Sequence, residues 1–210
     1  MTLRRLIQFL YLSVLDIRSR LFINRSVQKV NLCCGNQKVA SYAGVDFDLK
    51  ADIVINLNWG TLPFASNSIK VVTCISGINY FTRKRGEELI KEVHRILEKG
   101  GIARFASQDL ELIAHLYVTK DTEFFFQKGF DGADRFEGKT RADKINKWFY
   151  GYETFAGSCR YFYDYETLED VFKCAGFKNV KQKKFLDSCI SEVCSLDNRP
   201  DQMFFLEAIK

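Results

Sequence analysis

Histidine is scarce in this chain: 210 residues carry two, His94 and His115. A His-based metal centre needs several convergent ligands, so none is expected. The seven cysteines, at positions 33, 34, 74, 159, 174, 189 and 194, include no Cys-x-x-Cys pair. Their odd number and spacing argue against zinc and against a disulfide framework, and point to a reduced, cytoplasmic protein. No apolar run approaches the roughly 20 residues that cross a bilayer. The most apolar stretch, Leu6 to Leu15, is followed by Asp16, Arg18 and Arg20 rather than by a small-x-small cleavage site, so a secretory signal is not expected there. The net charge of +5 is spread along the chain without a nucleic-acid-binding motif, so nucleic acid is not an expected partner. Repeats and low-complexity tracts are missing, as is the Gly-x-Gly-x-x-Gly turn of nicotinamide-binding sheets.

What remains is an ordinary globular composition, 47% hydrophobic and 27% charged, in a length suited to one domain with a substantial core. Within it, Val30-Asn31-Leu32-Cys33-Cys34-Gly35-Asn36 reads as a strand running into a small-residue turn, and Gly44-Val45-Asp46 as a second strand ending in a carboxylate. An acid there can accept hydrogen bonds from both hydroxyls of a ribose, while the turn brings backbone N–H groups to the ligand. The alternative role for Asp46 is simply to end a strand at the surface.

The spacing predicts strands over 28–32, 43–47, 51–56, 69–75 and 102–106, with an unusually short first crossover at 37–42. A helix is expected over 86–98, with apolar face Leu89, Ile90, Val93, Ile96 and Leu97 and a stop at Gly100-Gly101. A second is expected over 165–175, stopped by Gly176, followed by an antiparallel pair at 177–184 and 203–209. The fold class is therefore α/β: a Rossmann-like, doubly wound, mostly parallel sheet with helices on both faces and an antiparallel C-terminal strand pair. Residues 28–210 form the main domain, with an insertion at about 109–155.

Ahead of it, in residues 1–27, Leu3, Leu6, Leu10, Val14, Ile17 and Leu21 recur at helical spacing. Two roles fit this amphipathic helix. It caps the domain or covers a cofactor, or it lies on an anionic membrane surface through Arg4, Arg5, Arg18 and Arg20.

Three segments in this order resemble the class I S-adenosylmethionine-dependent methyltransferases. They are Asn31-Leu32-Cys33-Cys34-Gly35-Asn36, Leu62-Pro63-Phe64 with Asn67-Ser68, and Glu92-Val93-His94-Arg95-Ile96-Leu97-Glu98-Lys99-Gly100-Gly101, the last similar to a helix and turn often written RVLKPGG. Within that superfamily the chain looks like the small type 11-like enzymes associated with polysaccharide or lipopolysaccharide biosynthesis. Gly44-Val45-Asp46, Gln108-Asp109-Leu110-Glu111, Tyr163-Asp164, Ala175-Gly176-Phe177 and Leu196-Asp197-Asn198-Arg199-Pro200 carry that narrower likeness.

The resemblance implies S-adenosyl-L-methionine as cofactor. Cys33, Cys34, Gly35 and Asn36 would line its methionine end, Asp46 would hold the ribose and Phe47 would flank the adenine. Asn56 and Leu57 would meet the adenine amine, and Ile75 and Ser76 would close the pocket beside the sulfonium. It also implies transfer to a small-molecule or surface-glycan acceptor, most simply at oxygen. Three departures stand out: Cys33 replaces a glycine, Ser76-Gly77-Ile78-Asn79-Tyr80-Phe81 lacks a Glu-His pair, and Cys159-Arg160 lacks a histidine.

Methyl transfer from a sulfonium needs chiefly near-attack geometry and exclusion of water. Where a base helps, the candidates are Asp109, Tyr80 and His115. Asp109 fits a helix N-cap equally well. His94 lies in a helix C-terminal turn, where a cation is favoured without any catalytic role. Cys33-Cys34 fits packing better than nucleophilic chemistry, having no base in sight. Tyr161-Phe162-Tyr163 fits core packing or sugar stacking. Arg160, Lys181-Lys183-Lys184 and the run from Lys139 to Lys147 would suit an anionic substrate, or simply a solvated face. The competing class is a non-catalytic binding module on the same fold, recruited by its first helix. A nicotinamide-dependent oxidoreductase is the third.

Overall fold

The computed structural model describes residues 3–22, 26–129, 131–151 and 157–210; the side chain of Arg4 and the end of the expected insertion, 152–156, lie outside the described residues. Seven strands form one sheet: β1 Lys29–Leu32, β2 Ala43–Asp46, β3 Ile53–Val54, β4 Ile69–Ile75, β5 Leu97–Gln108, β6 Lys178–Lys183 and β7 Met203–Ile209. Their order is β3-β2-β1-β4-β5-β7-β6. The first five run parallel, and β7 inserts antiparallel between β5 and β6. β4 and β7 are near-continuous apolar runs because both sheet faces are covered there.

One face is packed by α2 (Arg83–Ile96) and α6 (Tyr165–Cys174). α2 starts where the Thr82 hydroxyl accepts the Arg85 N–H, and it buries Leu89, Ile90, Val93 and Ile96. α6 starts where Asp164 accepts the Thr167 N–H at 2.8 Å and buries Leu168, Val171 and Phe172. Gly176, at φ +101°, ends it as expected. His94 packs edge-on against Phe177 at 5.0 Å, a packing role rather than a chemical one.

The opposite face differs from the simple picture of helices on both sides. No helix forms in the short first crossover, where Val39 and Tyr42 instead pack on Ile75, Ala106 and Phe205 beside Ile190 and Leu196. The latter two belong to the β6–β7 connection, which contains only the one-turn α7 (Val193–Leu196). Lys29 pairs with Glu192 at 2.6 Å, and Gln37 donates to the Ser195 carbonyl at 2.6 Å, tying this connection across the first crossover.

The junction of α2 and β5 departs most from expectation. α2 ends at Ile96, and Leu97 enters β5 directly, so Gly100-Gly101 lies within a strand rather than at a helix cap. Gly100, at φ +82°, sits where the β4–β5 register slips between Ile69 and Val71.

The chain between β5 and α6 builds a second small core on α3 (Leu110–Val118), α4 (Thr122–Phe126) and α5 (Arg141–Tyr150) from Ile113, Phe125, Phe136 and Trp148. Part of the lysine run is structural: Lys144 is fully buried, bonded to Asp134 and to the Phe136 carbonyl, and Lys147 pairs with Glu137.

α1 (Leu3–Leu21) forms as predicted but turns the other way. Leu12 and Asp16 are buried against the sheet edge, with Leu12 touching Phe47 and Val54. The stripe Leu3, Leu6, Leu10, Val14, Ile17 and Leu21, expected to face inward in a capping role, is exposed along its length. Polar contacts set this orientation: Asp16 bonds Arg20 at 2.9 Å and the Asn56 N–H at 3.3 Å, while Arg20 donates to the carbonyls of Asn56, Trp59 and Thr61. Arg20 is thereby committed to the fold rather than to a membrane. Among the described residues no helix is long and apolar enough to cross a membrane.

Candidate active site

β1 has β2 on one side and β4 on the other, so the chain order reverses at its C-terminal end, where open parallel sheets leave a crevice. A cavity of about 540 Å³ opens there. It brings together Cys33, Cys34, Gly35 and Asn36 from the turn after β1, Asp46 and Phe47 from the end of β2, Asn56 and Leu57 after β3, and Ile75 and Ser76 from the end of β4. Of the three candidate bases only Tyr80 lines it.

Asp46 organises the first turn. One carboxylate oxygen accepts the Gly35 N–H at 2.7 Å and the other the Phe47 N–H at 2.6 Å. Each oxygen keeps a lone pair for a second donor, and the side chain remains partly open to the cavity. Burial raises its pKa above the ordinary aspartate value, opposed by those two N–H bonds.

The cysteine in place of glycine is accommodated by its neighbours. Cys33 adopts φ +55°, the left-handed conformation a glycine takes without strain. Its side chain fills the space above Gly77, where an added Cβ would lie 2.4 Å from the Cys33 Cβ and 2.8 Å from the Cys74 sulfur. Gly44 makes room for Cys34 in the same way, at 2.8 Å from its sulfur. A hydrogen bond with Cys74, together with burial, pushes the Cys33 thiol well above its usual range, and burial pushes Cys34 up to about 12. Both are neutral packing groups near pH 7 rather than nucleophiles.

Ser76 (φ +64°) and Arg199 (φ +49°) share the left-handed conformation with Cys33, so three of the cavity's non-glycine residues hold a costly backbone geometry. The Asn56 side-chain oxygen accepts from the backbone and side chain of Asn58, which also lines the cavity. Burial raises the Tyr80 phenol above its usual value, keeping it protonated near neutral pH.

The other two candidate bases lie elsewhere. The Asp109 carboxylate accepts the Leu112 N–H at 3.1 Å as the N-cap of α3, and it is not among the cavity-lining residues. His115 is exposed in the last turn of α3. Tyr163 is fully buried and Phe162 stacks on Trp148 at 5.4 Å, which is core packing. Gln37, Asn58, Gly77, Phe81, Asn198 and Arg199 also line it without having been assigned a role from sequence. Leu196-Asp197-Asn198-Arg199-Pro200 stands out in the sequence only for its family likeness, and nothing local signals that Asn198 and Arg199 reach the cavity at the end of β4. Among the described residues no group of His, Cys, Asp or Glu side chains is arranged to hold a metal.

The family model that matches this chain, over residues 23–194, is described as the ubiE/COQ5 methyltransferase family. The ubiquinone/menaquinone biosynthesis C-methyltransferase UbiE of Desulfotalea psychrophila is 30% identical over 127 residues, 60% of this chain and 46% of that protein. The match thus spans about half the length of the curated relative. Phosphoethanolamine N-methyltransferase 2 of Haemonchus contortus, solved with S-adenosyl-L-methionine, aligns with a TM-score of 0.50 and 12% identity over 94% of this chain and 51% of its own. An S-adenosylmethionine-dependent methyltransferase from Mesorhizobium loti gives 0.48 and 16% over 92% and 96% of the two chains. Likeness at such identities speaks to the fold alone. With most of its length matched by one family and a sheet of the corresponding order, the chain belongs to the ubiE/COQ5 methyltransferase family, within the class I S-adenosylmethionine-dependent methyltransferases.

Proposed function

We propose that the cavity holds S-adenosylmethionine with its ribose on Asp46, and that the chain transfers the sulfonium methyl group to a small-molecule acceptor at the Tyr80 side. The observation that carries this reading is the Asp46 carboxylate, tied by both oxygens to backbone N–H groups beside the cavity. That arrangement fixes its direction and leaves acceptor capacity for two hydroxyls. The test is calorimetry with S-adenosylhomocysteine. Wild-type protein binds it, and Asp46→Ala loses at least about tenfold in affinity, the order expected when charge-assisted hydrogen bonds are removed. Binding that ignores the substitution, or no binding at all, supports the non-catalytic module instead.

The methyl group moves in line from sulfur to the acceptor atom as the sulfonium charge disappears, so positioning and exclusion of water do most of the work. The cavity's titratable groups are poor bases: the thiols and the Tyr80 phenol stay protonated, and Asp46 is engaged by the turn. Such a site suits an acceptor that is already nucleophilic, such as a pre-ionised oxygen or an electron-rich ring carbon that gives up its displaced ring proton to solvent after the transfer, with Tyr80 donating a hydrogen bond. Carbon is the atom named for the curated relative's reaction. An unactivated sugar hydroxyl of a surface glycan is the second reading, and it requires a base that Asp109 and His115 do not supply from their positions. Analysis of the methylated product by mass spectrometry and NMR separates carbon from oxygen.

For location, a cytoplasmic protein with peripheral membrane contact through α1 is the reading. The free cysteines support the first part. For the second, the exposed stripe runs the length of a 19-residue helix whose one acid, Asp16, is turned inward, while Arg18 is exposed. A face about 28 Å long and about 10 Å wide falls well short of the roughly 800 Å² per partner of a stable protein interface. Anionic lipid fits it better than a second copy.

A further inference from the structure

Among the described residues Arg199 is the one cation lining the cavity, and it has no carboxylate partner there. Its single side-chain hydrogen bond to a described residue runs from Nε to the neutral Asn198 Oδ1 at 3.0 Å. The two terminal amino groups of the guanidinium make no hydrogen bond to a described residue, although the side chain is half-buried. The groups its charge acts on are Tyr80 and Cys159. Burial pushes the Cys159 thiol up to about 11 and raises the Tyr80 phenol, so both are neutral and neither balances the guanidinium.

The fold holds this cation in place at some cost. Arg199 sits at φ +49° immediately before Pro200. A left-handed conformation is disfavoured for a residue with a Cβ, and helical geometry is disfavoured before proline. Two anchors maintain it. Two residues earlier, Asp197 is buried and accepts the Arg104 Nε–H at 2.8 Å and the Leu186 N–H at 2.9 Å. On the other side the Gln202 N–H donates to the Arg199 carbonyl at 3.1 Å, while the Gln202 carbonyl accepts the Asp109 N–H at 2.9 Å.

A pre-positioned, unpaired guanidinium lining a partly enclosed cavity is a receptor for a planar or tetrahedral oxyanion, which it grips through two parallel N–H bonds. We propose that Arg199 forms an anion subsite on the Tyr80–Cys159 side of the cavity, taking a carboxylate or phosphate. The inference rests on the nucleoside reading of that cavity. The anion has two sources: the amino-acid carboxylate of the cofactor, or an acidic group on the acceptor.

Calorimetry on wild type, Arg199→Ala and Arg199→Lys tests this with S-adenosylhomocysteine and with 5′-methylthioadenosine, which keeps the nucleoside and thioether but has no amino-acid carboxylate. Inorganic phosphate titrated into S-adenosylhomocysteine-saturated protein supplies the third arm. A loss of tenfold or more for S-adenosylhomocysteine in Arg199→Ala, partly restored in Arg199→Lys, with 5′-methylthioadenosine unchanged, establishes the subsite and identifies the cofactor as the source. Unchanged binding of both nucleosides, with phosphate taken up by the saturated wild type and not by Arg199→Ala, establishes it for the acceptor. Equal losses for both nucleosides, or no Arg199-dependent difference in any arm, overturns it. If wild type binds neither nucleoside, the nucleoside reading itself has failed, and Arg199-dependent phosphate uptake by the unliganded protein then decides the subsite alone.

Discussion

Cys33 holds a backbone conformation that favours glycine, and its side chain is accommodated because Gly77, packed against it, carries no Cβ. Gly77→Ala would drive a Cβ to 2.4 Å from the Cys33 Cβ, an overpacking expected to cost about 1–3 kcal/mol. Urea unfolding measures the loss. The double variant Cys33→Gly/Gly77→Ala should recover part of it, since glycine removes the Cys33 contact and relaxes the φ of +55° while the 2.8 Å approach to the Cys74 sulfur remains; an equal loss in both backgrounds contradicts the pairing.

Asp46 makes a second prediction at the same level, through pH. Its folded pKa is raised, first by burial, so the folded state holds this proton to higher pH than the unfolded chain does. The empty protein therefore loses stability as pH rises from the ordinary aspartate value through the raised one, where the desolvated charge forms. Nucleoside affinity runs the other way, falling as pH drops through the raised value, because a protonated carboxyl has fewer lone pairs for hydroxyls. Affinity measured against pH should show this titration in wild type and lose it in Asp46→Asn. A flat wild-type profile contradicts the assignment.

Among the elements, α1 shows what periodicity conveys and what it leaves out. The recurrence of Leu3, Leu6, Leu10, Val14, Ile17 and Leu21 identifies a helix correctly, yet the face that docks is the one carrying Leu12 and Asp16. The choice is made by hydrogen bonds from Asp16 and Arg20 to the backbone of 56–61, which a hydrophobic pattern does not weigh. Replacing Leu10 and Val14 by glutamate should abolish sedimentation with phosphatidylglycerol vesicles. It should change unfolding stability by no more than about 0.5 kcal/mol per site, as expected for exposed positions. Unaltered sedimentation removes the membrane from the account. The β5 boundary was hidden for a related reason: Gly100-Gly101 is a helix stop by local rules, but Lys210, just past β7, pairs with it, accepting the Gly100 N–H at 3.0 Å and donating its own N–H to the Gly101 carbonyl at 3.1 Å.

For the molecule as a whole, the sheet was legible because short apolar-rich strands, β4 the longest of the parallel ones before β5, alternate with turn-rich connections, and the cavity because strand ends in such a sheet converge at a known place. The Cys33–Asn36 turn and Asp46 could be put together on that ground, while Ile75 and Ser76 are implied by the resemblance to the class I methyltransferases. Arg199 could not, because its position depends on contacts far apart in sequence. Arg104 on β5 is fully buried and paired with Asp197 and Glu207. It also bonds the Asp187 carbonyl at 3.0 Å, pinning the β6–β7 connection over the sheet. Arg104→Ala leaves two carboxylates without their cation and should cost about 3–5 kcal/mol, measurable by denaturant unfolding. A loss under about 1 kcal/mol, the level of an exposed pair, contradicts the anchoring role.

The most direct test is a crystal structure of this chain grown with S-adenosylhomocysteine. The account predicts both ribose hydroxyls within hydrogen-bond distance of the Asp46 carboxylate, and the thioether sulfur near Ile75, Ser76 and Tyr80. A nucleoside bound elsewhere, or Asp46 turned away from it, would contradict the account.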